Sequence, residues 1–231
     1  RRATDGLPTG YRRATDGLPT GYRRATDGLP TGPAPAARSI AVMAWIRMIG
    51  SDEATGLLRE AYDWQSERLG EPTDFTRLGS LYPEIVMERL RLYKAVEACP
   101  SRLAPVERQL AAYVVSLINA TTHCGSGLRI ALDHLEADPA LVAAVEASPR
   151  QVRSGDPRID AVCAYAAKLT TDPASMVAAD VDALRAVGLD DLDVLDLNNL
   201  VAYYNYLNRV SNGLGMFEAI PPAHALKARP R

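Results

Sequence analysis

The chain has 231 residues with 26 basic against 28 acidic side chains, a formal net charge of −2, and 47% of its residues in the hydrophobic set. That length supports one domain with a sizeable core. The near-neutral charge removes any global electrostatic drive toward nucleic acid, and three cysteines in a chain this long exclude a disulfide-stapled miniprotein.

The chain opens on a repeat. Arg1-Arg2-Ala3-Thr4-Asp5-Gly6-Leu7-Pro8-Thr9-Gly10-Tyr11 begins again at Arg12 and at Arg23, the third copy ending on Pro33. One Leu and at most one Tyr per unit, among Pro and Gly, build no buried face at either the helical or the strand period. Residues 1–42 are therefore expected to be a disordered tail. They carry seven Arg and three Asp, which leaves 19 basic and 25 acidic residues, a balance of −6, for the other 189. An Asp in every unit and the lack of a basic helix describe a solvated tail better than a phosphate-binding arm. No amphipathic Arg-rich helix or apolar signal core announces targeting. The apolar patch from Ile40 to Ile49 is short and contains Arg47, which rules it out as a membrane span. The protein is expected in the cytoplasm, with neither nucleic acid nor membrane among its partners.

Composition changes after Pro33-Ala34-Pro35-Ala36-Ala37, and Met43 opens the packable run Ala44-Trp45-Ile46-Arg47-Met48-Ile49. A domain over 43–220 is predicted, followed by a flexible C-terminal tail over 221–231. The repeat is then either an authentic tail or lies upstream of the true start. Ser51 is expected to cap a helix to about Leu69, with Asp52 and Glu53 in its first turn. A second helix is expected from Pro83 to Glu97, with Ile85, Leu90, Leu92, Tyr93 and Val96 along its apolar side. A third, opened by Pro105, carries Val106, Leu110, Tyr113, Val114 and Leu117 and should be deeply packed.

Thr121 to Leu128 reads as a connector to a fourth helix bearing Leu128, Leu132 and Leu135, its Gly125 and Gly127 marking a bend or a close backbone approach. Asp138-Pro139 and Asp156-Pro157 each open a further helix, the second reaching about Leu169. The last long helix starts near Asp190, includes Val194, Leu197, Val201, Tyr204 and Leu207, and ends at Asn212-Gly213 and Gly215. No run alternates at period 2, so the fold class is all-α. Asp190-Asp191-Leu192-Asp193 reads as a helix cap and a solvated face rather than a two-metal centre. No CxxC survives, and His134 and His224 are far from His123, so no metal site is expected. Nothing in the chain has a nucleotide-binding or nucleophile-elbow pattern.

Between Arg108 and Leu128 the chain resembles the AhpD-like, carboxymuconolactone decarboxylase-like superfamily, most nearly its peroxidase-related branch. There an Arg-Glu-Leu opening leads through small and apolar residues to Asn-x-Cys-x-x-Cys, with a His four residues beyond. The corresponding text here is Arg108-Gln109-Leu110, then Asn119-Ala120-Thr121-Thr122-His123-Cys124, and finally Leu128. Met43 to Arg47, Lys168 to Thr170, Asp180 to Arg185 and Tyr203 to Val210 resemble the family's start and later helices, so the likeness extends over most of 43–220. It implies an AhpD-like orthogonal helical bundle and a homo-oligomer. It also implies thiol peroxidase chemistry, in which the second Cys attacks a hydroperoxide, the first resolves the sulfenic acid, and Glu and His residues relay protons.

Carried over residue by residue, Cys124 stands at the attacking position, His123 at a relay position used by some members, and Gln109 where the relay Glu would be. Thr121 replaces the resolving Cys, and Leu128 replaces the downstream His. Gln cannot act as a general base and Thr cannot form the disulfide, so the implied activity shrinks to a one-cysteine cycle completed by an external thiol, with no cofactor. The candidate catalytic residues are Cys124, His123 and Gln109. Two other readings stand beside this one: a redox-silent scaffold that binds a small molecule or serves as a structural oligomer, and a carboxymuconolactone decarboxylase-like enzyme. Cys163, among Ala and Val on a helical pattern, reads as a small core residue, and Cys99 sits at a helix end before Pro100. The rings of Tyr203-Tyr204-Asn205-Tyr206 sweep more than one helix face and suit a core, a subunit interface or a pocket wall.

Overall fold

A computed structural model describes residues 44–221. The expected repeat tail over 1–42, and all but the first residue of the expected C-terminal tail over 221–231, lie outside the described residues. Among these the chain is entirely helical: α1 (Gly56–Leu69), α2 (Asp74–Leu78), α3 (Pro83–Glu97), α4 (Pro105–Ile118), α5 (Thr122–His134), α6 (Pro139–Ala147), α7 (Pro157–Thr171), α8 (Ala178–Ala186) and α9 (Asp191–Gly213), with a 3₁₀ turn at Pro173–Ser175.

The helices start where their sequences supply caps. Asp138 accepts from the Ala140 N–H at 2.8 Å, Asp156 from Arg158 N–H at 2.8 Å, and Asp190 from the N–H groups of Leu192 and Asp193 at 3.0 Å each. Asp193 returns the bond to the Asp190 N–H at 2.9 Å and completes a capping box. Asp193 is not on a solvated face, however. It is buried and pairs with Arg102 at 2.7 Å, while the buried Asp196 binds Arg108 and Ser101. These pairs, with Arg158 on Glu107, tie the entry of α4 to α7 and α9.

α4 is the hub and packs on α5, α6, α7 and α9. Six consecutive residues, Leu110 to Val115, are buried, so the helix is enclosed on all sides. α1 packs on α3 through Ala61, Val86, Met87 and Leu90.

Three expectations are corrected. Ser51 does not cap α1: Glu53 N–H and Ala54 N–H both close on the Gly50 carbonyl, at 3.2 and 3.1 Å, and the helix begins at Gly56 after an extended Thr55. Glu53 instead pairs with Arg47 at 2.6 Å. On α3, Ile85 and Leu92 are exposed, whereas Val86, Met87, Leu90 and Val96 are buried. Positions two apart on a helix stand about 200° apart, so Leu90 and Leu92 cannot share a face. Thr121 to Leu128 is not a connector: α5 starts at Thr122, and only Asn119, Ala120 and Thr121 separate it from α4. The short α2 has no counterpart in the sequence reading.

Candidate active site

The turn from α4 into α5 sets the site. Ala120 adopts φ +51, a left-handed conformation that costs a non-glycine residue about 1–2 kcal/mol. It is held there by Ala120 N–H to Leu117 O at 3.1 Å and Thr121 N–H to Ser116 O at 2.9 Å. α9 ties the same corner down: Asn212 donates to the Asn119 carbonyl at 2.7 Å, and Asn119 donates to Asn205 at 3.0 Å. The tight reversal delivers His123 and Cys124 in the first turn of α5.

Cys124 lines a cavity of about 690 Å³ whose wall also includes Gln109 and His123. The structure thus brings all three candidate residues to one space. By area Cys124 is half-buried, but protein surrounds its thiol, and this burial pushes the thiol up to about 11. The Ser211 hydroxyl, 4.0 Å from its sulfur, opposes that only in part. The field at a helix start is worth about 0.3–1 kcal/mol, too little to offset it. Cys124 is therefore a protonated thiol at neutral pH. Cys163 is fully buried and its thiol is pushed up to about 12, while burial first and Asp196 second raise Cys99.

His123 is buried, and its Nδ1 lies 3.0 Å from the Glu218 carbonyl. A carbonyl only accepts, so Nδ1 carries a proton in this contact, which leaves Nε2 as the ring nitrogen not committed to Glu218. Gln109 is a neutral wall residue. Thr121 is buried at the start of α5, and Leu128 is a core residue that also lines the cavity. Among the described residues no group of three or more His, Cys, Asp or Glu is placed to hold a metal ion.

The segment after α9 closes one side of the site. Trp45 N–H donates to Leu214 O at 2.8 Å, and the Trp45 and Phe217 rings meet edge-on at 5.8 Å. Ile220 N–H donates to Ser126 Oγ at 2.8 Å, and Ile220 joins the cavity wall. Gly127 permits this approach, since a Cβ there would stand 2.9 Å from Ile220 Cδ1. Of the two causes open for the paired glycines, close approach is the one realised at Gly127. Ser211, Ile220 and the aromatic residues on α1 to α3 that reach the cavity were missed in the sequence; only the tyrosine run signalled a pocket wall. Tyr203 and Tyr204 do line it, whereas Tyr206 is exposed.

No protein-family model matches the sequence, and no curated protein matches it. Solved structures do. An uncharacterized peroxidase-related protein from Ralstonia eutropha JMP134, the alkylhydroperoxidase AhpD core, superposes with a TM-score of 0.69 at 19% identity, over 82% of this chain and 98% of that one. An uncharacterized peroxidase-related protein from Silicibacter sp. TM1040 gives a TM-score of 0.61 at 28% identity, over 68% and 82%. The fold is AhpD-like. The same AhpD-like fold occurs in the debrominase Bmp8, with a TM-score of 0.62 at 15% identity over 82% and 98%, and in its cysteine-to-alanine variant in complex with 2,3,4-tribromopyrrole, with 0.61 at 17% over 78% and 94%. No helix among the described residues of this AhpD-like chain is long and apolar enough to cross a membrane.

Proposed function

We propose that this AhpD-like protein is a peroxidase-related oxidoreductase restricted to one-cysteine chemistry at Cys124. The observation that carries the reading is the Cys124 thiol in the wall of a cavity shared with His123 and Gln109. His123 Nε2 takes the thiol proton. The thiolate attacks the distal oxygen of a hydroperoxide, an S–O bond forms as the O–O bond breaks, and the alcohol leaves with the relayed proton. Sulfur is oxidised by two electrons to the sulfenic acid. With Thr121 at the resolving position, an external thiol displaces water to form a mixed disulfide, and a second thiol molecule releases Cys124. Gln109 orients the substrate by hydrogen bonding.

One observation favours the redox-silent scaffold as a second reading: the raised Cys124 pKa leaves little thiolate at neutral pH. A debrominase of the same fold, crystallised with 2,3,4-tribromopyrrole, supports a cavity that admits organic molecules in either case. Self-association belongs to the same proposal and is supported by the exposed apolar side chains Leu81, Tyr82, Ile85 and Leu92.

Residue-resolved trapping of sulfenic acid in reduced protein, under substoichiometric cumene hydroperoxide, separates the readings. Cys124 is expected to label first, and Cys124→Ser to abolish turnover with an external thiol. Equal, slow labelling of Cys99, Cys124 and Cys163 would sink the catalytic reading.

A further inference from the structure

The cavity over Cys124 has far more aromatic surface and charge than a peroxide requires. Tyr93 and Tyr203 stack with centroids 5.9 Å apart and planes 28° apart, and Tyr204 meets Tyr203 edge-on at 6.1 Å. Two cations from α3 lie on further aromatic faces of the wall: the Arg89 guanidinium 4.9 Å from the Phe75 centroid and the Lys94 ammonium 5.7 Å from that of Trp64. Arg89 donates to the neutral Thr76 Oγ1 at 2.6 Å, and neither cation pairs with a carboxylate among the described residues. Arg68 adds a third cation to the lining, against Glu67 and Glu97, so positive charge is in excess.

Tyr203 adds a polar group to the same wall. It is only 4% exposed, and its buried hydroxyl has no well-formed hydrogen bond, though the Arg89 guanidinium acts on it by charge and by a weaker hydrogen-bonding contact. A buried hydroxyl held only by such a contact, beside a cation with no carboxylate partner, leaves polar capacity in the wall for a ligand. The cavity volume of about 690 Å³ falls within the range of sites for organic molecules. Flat rings recognise flat rings by stacking and edge contacts, and guanidinium and ammonium groups recognise carboxylate.

We propose that this cavity binds an aryl carboxylate of one or two fused rings, its ring among Tyr93, Tyr203 and Tyr204 and its carboxylate on Arg89 and Lys94. The proposal deepens the preceding reading by naming the substrate class of the same site. It rests on that reading only for the claim that the ligand meets a reactive thiol.

Titration calorimetry with 2-naphthoate, 2-naphthamide and decalin-2-carboxylate tests it on the unmodified chain. Naphthoate should bind at least tenfold more tightly than the neutral amide and the non-planar acid, and should slow alkylation of Cys124 by N-ethylmaleimide. Equal affinity for the amide, equal affinity for the decalin acid, or no protection of Cys124 overturns the assignment. Arg89→Gln with Lys94→Gln should lose at least tenfold for naphthoate and leave naphthamide unchanged, and Lys94→Met alone serves if the pair fails to fold. Cys124→Ser should retain naphthoate binding while losing peroxide turnover. Loss of thiol chemistry and loss of the ligand site are thus read separately.

Discussion

At the scale of single residues, the site is governed by what surrounds one sulfur. The family resemblance singled out Cys124, His123 and Gln109 as the candidate residues. The structure brings the three to one cavity, yet it commits His123 Nδ1 to the Glu218 carbonyl and leaves the thiol in a low-dielectric wall. Burial disfavours the charged form, which is why the thiol rises to about 11. A group with a raised pKa is protonated throughout the range below it, so the reactive thiolate grows as pH increases. Iodoacetamide alkylation of Cys124, followed by mass spectrometry, should accelerate about tenfold per pH unit between pH 7 and 10. A rate that levels off below pH 9 would show a thiol activated by something other than its present neighbours. Thr121 and Leu128 stand where the resemblance expects a resolving Cys and a His, and neither side chain carries that chemistry. Ser211 and Glu218 were not legible in the sequence, because they meet the motif only through the return of the chain more than eighty residues later.

At the scale of elements, the helices that open on a cap or a proline were legible. Pro105, Asp138, Asp156 and Asp190 act locally, and local signals survive without knowledge of the fold. α1 failed that test because the Gly50 carbonyl captured the amides that Ser51 was expected to cap. The segment after α9 shows the opposite dependence, since it has no periodicity of its own and is placed by contacts with Trp45, His123 and Ser126. Gly215 turns the chain into it at φ +79, and a Cβ there would stand only 2.5 Å from the Trp45 ring. Gly215→Ala should therefore cost at least about 1–2 kcal/mol in urea unfolding. Gly213→Ala, with nothing within 4 Å of its Cβ, should be neutral or stabilising by about 0.4–1 kcal/mol. Equal effects of the two would remove the packing of Trp45 on Gly215 as the reason for the glycine.

At the scale of the whole molecule, α4 is buried by its neighbours while α3 leaves one face uncovered. Ile85 and Leu92, seven residues apart, share that face, and Leu81 and Tyr82 continue it. If copies associate through it, Ile85→Glu should lower the sedimentation mass of the protein to that of a monomer without lowering its Tm. An unchanged mass would place any interface elsewhere. By itself the sequence determined the helical class and the deep packing of α4, because apolar period and end signals are properties of neighbours along the chain. Only the tertiary structure decided which side of α3 is buried, that Asp193 lies inside, and that Tyr93, Arg89 and Lys94 line the same cavity as Cys124. Those outcomes depend on which helices meet, and burial and electrostatic environment are set by groups distant in the chain.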